Sequence, residues 1–258
     1  KKNLKKYIGE IIVIKFGGSS MLDPKLSNNF AVSIKLLVDI GMKPIIVHGG
    51  GPQINEVLGK FKIKHKFFKG MRITDEKTFR VVEMVLSGSI NKNIAYNISK
   101  KGVKAIGISG SDGSLLMAKK IKKNFKLDPD LGLVGRPEKL NKSFILNLVA
   151  EKIVPVIAPI GFNARGQKLN INADLTAGFI ASELNSRRLL MLTDVKGVID
   201  KNNNLISELK LKEINKLIKE RVIYGGMIPK VNTCVETIKN GVRASVIIDG
   251  RVKNAILK

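Results

Sequence analysis

The sequence predicts an α/β protein built on an open, mostly parallel sheet with helices on both faces. Three observations predict it. Short, wholly apolar, β-branched runs such as Ile11 to Ile14 read as strands buried on both faces. These runs repeatedly empty into loops of Gly, Ser and Asp, as in "IKFGGSS" and "VHGGGPQ". Between them stand segments whose apolar residues recur at helical spacing.

Taken in order, Ile11 to Ile14 forms the first strand. Phe30, Ile34, Leu37 and Val38 mark a helix that Gly41 ends. "KPIIVHGGGP" is a second strand running into three glycines, and a helix begins at Pro52, since proline suits a first turn. Phe79, Val82 and Leu86 mark another helix, and Ile90, Ile94 and Ile98 a further one. "VKAIGISGSDG" is the third strand. Lys119 to Lys139 is charged, carries Pro129 and Pro137, and reads as a β-hairpin excursion. Regular alternation then resumes with "IVPVIAPI", "KLNINAD", a helix near Leu175 to Leu184, and the strand in "RLLMLTDVKGVID". "GGMIPKVNTCVETIKNG" is a helix with Val231, Cys234, Val235 and Ile238 on one face, and "ASVIIDG" closes the sheet. In such folds ligands sit at the carboxyl ends of the strands, where these polar loops gather.

At 258 residues the chain can bury a sizeable core, and the size fits one large α/β domain or two small lobes. No stretch approaches the ~18 apolar residues of a membrane helix. "KKNLKKYIGE" is basic but too short in apolar residues for a signal peptide. The lone Cys234 forms no internal disulfide, which suits a reducing compartment. The net charge is +25, yet the lysines are scattered, Tyr is scarce and Trp absent. No helix-turn-helix, zinc-finger or RNP signature accompanies them, so the charge reads as compositional bias and no nucleic-acid partner is expected. A regulatory or nucleic-acid-binding protein on this scaffold is the alternative, and it predicts binding that falls steeply with salt.

Lys15, Gly17 and Gly18 follow the first strand directly. Glycines there let backbone N–H groups approach phosphate oxygens, and lysine adds a point charge. Neither G-x-x-x-x-G-K-[ST] nor G-x-G-x-x-G occurs, which excludes an ordinary P-loop and a standard dinucleotide fold. Gly50 and Gly51 lead into a helix N-terminus, which attracts a carboxylate. Arg72 in "GMRITD" reads by itself as an exposed loop arginine. Asn170 reads by itself as a strand-end turn residue. Asp174 stands where a strand gives way to a helix, the place of a simple N-cap. His48 and His65 show no metal-ligand pattern; His48 packs or hydrogen-bonds beside the glycines, and no metal site is expected in the protein.

The ordered set "VIKFGGSS", "VHGGGPQ", "GMRITD", "NINAD", "LTDVKGV" and "GGMIPK" resembles the amino-acid kinase superfamily, and within it the acetylglutamate kinase family. The resemblance spans roughly Tyr7 to Ile256. It implies a three-layer αβα sandwich that transfers phosphate from ATP, accompanied by Mg²⁺, to the side-chain carboxylate of N-acetyl-L-glutamate, the second step of arginine biosynthesis. It assigns Lys15 and Lys230 to the transferred group and Asp174 to orienting both. Gly50, Gly51, Arg72 and Asn170 would hold the acceptor. Gly17, Gly18, Asp194, Val195, Lys196, Gly197, Val198, Ile199, Val222, Ile223 and Tyr224 would hold the nucleotide. It further implies a homodimer or a hexamer, with "NLKKYIGE" resembling the end of a hexamer-forming helix. Arginine as effector, a PII signalling protein as partner, and a cytoplasmic or plastid location are also consistent with it. Arg136 departs from the pattern, since many relatives carry glutamate there. Sister kinases acting on aspartate or an aminoadipate derivative are the nearest alternatives, and "GMRITD" is the segment that favours the acetylated acceptor.

Overall fold

The computed structural model describes residues 7–123, 125 and 127–257. Of the segment 3–10, only 7–10 are described, and they form a turn closed by the Glu10 N–H donating to the Tyr7 carbonyl at 3.0 Å. The helix suggested for residues 3–6 lies outside the described residues.

Six strands form one wholly parallel sheet. They are β1 (Ile11–Phe16), β2 (Lys43–His48), β5 (Ala105–Ser109), β8 (Val154–Ala158), β11 (Arg188–Thr193) and β12 (Ala244–Asp249), ordered β12-β11-β1-β2-β8-β5. From β1 the chain adds β2, goes to β5 at the edge, comes back to insert β8 between them, and then crosses to add β11 on the other side of β1. The topological switch point therefore lies beside β1, and Lys15 sits at its carboxyl end.

Period-2 alternation assigns the faces. Ile12, Ile14 and Phe16 point to a core with α1 (Pro24–Asp39) and α4 (Asn91–Ser99), among them Phe30, Ile34, Leu37, Ile94 and Ile98. Val13 points the other way, with Ile45, Val47, Leu189 and Met191, against α5 (Lys142–Ala150) and α6 (Ala173–Glu183). Lys15 shares the face of Val13 and so looks toward α6. Helices on both sides make the three layers the sequence predicts.

Two departures have physical causes. The helices expected around Phe79 and Ile90 are one continuous rod: α3 (Glu76–Glu83), a π-helical stretch Met84–Ile90, and α4. The "KLNINAD" strand does not join the main sheet. There β10 (Lys168–Ile171) closes a four-stranded barrel with β6 (Leu116–Lys120), β7 (Val134–Leu140) and β9 (Ile160–Phe162). β6 and β7 are the antiparallel hairpin expected from Lys119 to Lys139, and Leu116, Ala118, Leu169 and Ile171 seal the barrel to the second core.

A short hairpin, β3 (Phe67–Phe68) and β4 (Met71–Arg72), follows α2 (Gly51–Lys60). Beyond β11, α7 (Leu211–Lys219) and α8 (Met227–Lys239) enclose a small core of Val198, Ile214, Ile223 and Val231. No helix of the described residues is long and apolar enough to cross a membrane.

Candidate active site

Two cavities open at the carboxyl edge of the sheet, and three charged side chains connect them. Lys15 and Asp174 line one cavity, of about 190 Å³. Lys230 lines the other, of about 520 Å³. Lys230 Nζ donates to Asp174 Oδ2 at 2.7 Å. Lys15 Nζ lies 3.1 Å from Oδ1, as an ion pair rather than an aligned hydrogen bond. Asp174 is buried, which by itself disfavours its charge; the two ammonium groups outweigh that and hold its carboxyl below the ordinary range.

Each member is placed by a helix start or a strand end. Asp174 is not the N-cap. Asn172 is, its Oδ1 accepting from the N–H groups of Asp174 and Leu175 at 2.8 and 3.2 Å. That frees the Asp174 carboxylate for the lysines. Lys230 stands in the first turn of α8. The two helices meet closely at Gly178, where a Cβ would fall 2.6 Å from Thr233 Cγ2 and 2.9 Å from Thr237 Oγ1.

The glycines after Lys15 have a steric reason. A Cβ at Gly17 would lie 2.5 Å from Lys15 Nζ, so only glycine lets the ammonium fold across the loop. Gly18 has φ +79°, and a Cβ there would enter the Asp194 carboxylate. Asp194 thus sits against the lysine loop rather than in the larger cavity.

His48 secures the second glycine turn. It is fully buried and bonded at both nitrogens: Nδ1–H donates to the Gly49 carbonyl at 2.8 Å, and Nε2 accepts from Asn91 Nδ2 at 3.1 Å. Burial lowers its pKa to about 4, with the Gly49 bond opposing, so the ring is neutral at pH 7. Gly50 and Gly51 then open α2 onto the smaller cavity.

Arg72 and Asn170 line the same cavity. Arg72 is buried beneath the Phe67 ring, 4.6 Å from its centroid, and Nη2 donates to Asn55 Oδ1 at 2.7 Å. Burial lowers its pKa to about 10. Asn170 Nδ2 donates to Thr74 Oγ1 at 3.1 Å, and that hydroxyl donates to the Arg72 carbonyl at 2.7 Å. The four acceptor-side positions expected from the sequence are therefore together.

On the other side Val195, Gly197, Val198, Ile199, Val222 and Tyr224 line the larger cavity. Ile223 does not: it is 1% exposed and belongs to the small core. Lys196 is not among the lining residues either. Arg136 lies on β7 beside the α6–α8 groove, away from the charged array. Cys234 packs beside Met191, and burial raises its thiol to about 11, so it is a core residue. Sequence reasoning missed Asn55, Phe67, Asn172 and Gly178. The spacing of Asn55, four residues after Gly51, was the available signal.

The sequence profile of the amino acid kinase family matches residues 10–249. The chain is 47% identical over 99% of its length to the acetylglutamate kinase of Methylobacterium nodulans, spanning 86% of that protein. It is 46% identical to that of Gluconobacter oxydans, with 98% and 88% of the two chains covered. Among solved structures, smu.665 from Streptococcus mutans superposes with a TM-score of 0.83 at 31% identity, covering 93% of this chain and 94% of that one. An N-acetylglutamate synthase from Neisseria gonorrhoeae shares the fold alone, with a TM-score of 0.86 at 18% identity over 99% of this chain and 58% of that one.

Proposed function

The chain belongs to the amino acid kinase family, and from that premise we infer that it phosphorylates the side-chain carboxylate of N-acetyl-L-glutamate with ATP. The observation that carries this reading is the Lys15–Asp174–Lys230 array between two cavities. One reactant occupies each cavity. The smaller holds the acceptor, with its α-carboxylate on Arg72 and its amide and carboxylate part on Asn170 and the N–H groups of Gly50 and Gly51. The larger holds the nucleotide against Val195, Gly197, Val198, Ile199, Val222 and Tyr224, with Gly17 and Gly18 approaching the phosphates. The resemblance divides residues 1–258 into an acceptor lobe at about 1–180 and a nucleotide lobe at about 181–258, with Gly17 and Gly18 reaching across from the first.

In the transfer a carboxylate oxygen attacks the γ-phosphorus. The new O–P bond forms as the bond to the β,γ-bridging oxygen breaks, and its electron pair leaves on ADP. No proton moves, because the acceptor is already ionised. The difficulty is the approach of two anions, so positioning and charge stabilisation are the main tasks. Lys15 and Lys230 place positive charge on either side of the migrating group. Asp174 holds both ammonium groups in place and is no base.

Mg²⁺ is expected to come with the nucleotide and to neutralise its phosphates. Exposed Met84, Tyr96 and Ile106, on the rod and the edge strand β5, support a homodimer. A hexamer, arginine inhibition and PII binding rest on the resemblance alone, as does a location in cytoplasm or plastid stroma.

The test is hydroxylamine trapping of the acyl phosphate, with N-acetylglutamate, glutamate, aspartate and an N-acylated aminoadipate as acceptors. Signal confined to N-acetylglutamate supports the reading. Signal with another carboxylate would keep the chemistry and change the acceptor.

A further inference from the structure

Arg72 is a buried cation whose hydrogen bonds are only half used. Nη2 is fully engaged, donating to Asn55 Oδ1 at 2.7 Å and to the Gly51 carbonyl at 3.3 Å. Nη1 is buried and has no partner. Among the described residues no carboxylate lies within ion-pair distance of the guanidinium. A buried cation left in this way is costly, so the site favours an anion that completes it. The Phe67 ring, 4.6 Å away, covers one face of the guanidinium and limits its tilt. What remains is rotation within the plane, and the shortest bond opposing that rotation comes from Asn55.

Asn55 lies on α2, one helical turn beyond Gly51. Side chains on a helix lean toward its N-terminus, so Asn55 reaches back over the glycine turn to the Arg72 fork. One rigid element thus carries both the backbone that meets the acceptor and the group that aims the arginine.

We propose that Asn55 is a positioning residue that selects a carboxylate at the Arg72 end of the acceptor. It occupies Nη2 and leaves Nη1 as the donor without a partner, on a residue that lines the cavity. A carboxylate presents acceptor oxygens to that donor. A carboxamide of the same shape offers one oxygen and an NH₂ group, and a donor set against the guanidinium is repelled. This inference rests on the acceptor reading above, since it concerns the α-carboxylate of N-acetylglutamate.

The test compares two acceptors that share the same γ-carboxylate. One is N-acetylglutamate; the other is N-acetylisoglutamine, whose α-carboxylate is replaced by a carboxamide. Trapped acyl phosphate gives kcat/KM for each, in wild type, Asn55→Ala and Asn55→Asp. Asn55→Ala is expected to lower kcat/KM for N-acetylglutamate roughly ten- to fiftyfold through KM. The α-carboxamide acceptor should change less than about threefold, so the preference for carboxylate collapses. Asn55→Asp keeps an acceptor oxygen for Nη2 but sets a carboxylate against the guanidinium, so it should also lose the preference. KM for ATP should stay the same in both variants. Equal losses on the two acceptors would mean a merely structural role and overturn the inference, as would a preference kept in Asn55→Asp. No product from wild type with either acceptor would instead overturn the acceptor reading, and the inference with it.

Discussion

Gly178 sets the distance between two charged side chains it never touches. It lies one turn below Asp174 on α6, and Thr233 and Thr237 lie one and two turns below Lys230 on α8. Gly178→Ala would place a Cβ 2.6 Å from Thr233 Cγ2 and 2.9 Å from Thr237 Oγ1. Carbon atoms pack at about 3.5–4.0 Å, so the helices must part by roughly 1 Å. Threonine cannot swing away, because its hydroxyl is tied back: Thr233 Oγ1 donates to the Pro229 carbonyl at 3.0 Å, and Thr237 Oγ1 to the Thr233 carbonyl at 2.7 Å. A shift of that size takes the 2.7 Å Lys230–Asp174 bond beyond hydrogen-bonding range. Overpacking should cost about 1–3 kcal/mol of stability. Loss of registration should lower kcat by about 10–100-fold with both KM values nearly unchanged. Thr233→Ser removes Cγ2 and keeps the hydroxyl, so the double variant should regain most of kcat. Steady-state kinetics and thermal melts on the three variants decide it. A wild-type kcat in Gly178→Ala, or a double variant no better than the single, would refute the reasoning.

Three further outcomes are expected. Asp174→Asn leaves Lys15 and Lys230 unneutralised and should cost about 3–5 kcal/mol. Because the folded carboxyl titrates below its ordinary value, that difference is full at neutral pH and is lost as pH falls from the ordinary carboxylate range through the lower folded value, which urea melts from neutral pH down into that acid range would trace. His48 titrates at about 4 folded against 6.5 unfolded, so the unfolded state binds more protons between them. Stability should fall by about 1.4 kcal/mol per pH unit from 6.5 toward 4, a slope that His48→Asn abolishes. Gly18→Ala meets both a positive φ and the Asp194 carboxylate, and calorimetry should record about 1–3 kcal/mol lost, with a raised KM for ATP.

The parts of the site that sequence exposes are those where one residue type has one physical use. A lysine closing an apolar strand, glycines after it, and glycines opening a helix are of that kind, so Lys15, Gly50 and Gly51 were legible. The barrel was not. β9 and β10 are three and four residues long, too short for alternation to name a sheet, and although they pair with each other, β7 and β6 on their other edges are distant in the chain. The continuous rod was read as two helices because apolar residues at Leu86, Ile90, Ile94 and Ile98 step by four. A straight α-helix drifts about 40° at each such step, and the π-helical stretch absorbs part of it. Thr233 and Thr237 are polar and stand outside the set Val231, Cys234, Val235 and Ile238, yet back-bonding to the helix satisfies their hydroxyls and allows burial. The apolar face expected from Val231, Cys234, Val235 and Ile238 is therefore in part a threonine face. Ile223 was given to the nucleotide by the resemblance alone, since its place between Val222 and Tyr224 carries no signal of which way it faces.

The most direct test of the central claim, that Lys15 and Lys230 act on the transferred group from opposite cavities, is single-turnover phosphoryl transfer from γ-labelled ATP to N-acetylglutamate. It would be run on wild type, Lys15→Ala and Lys230→Ala, with binding of each reactant measured by calorimetry on the same samples. The account predicts that both variants bind the acceptor and a non-hydrolysable ATP analogue within about tenfold of wild type, while transfer falls by about 10²–10³ or more in each. Transfer that survives in either variant, or a loss accounted for entirely by weaker binding, would contradict it.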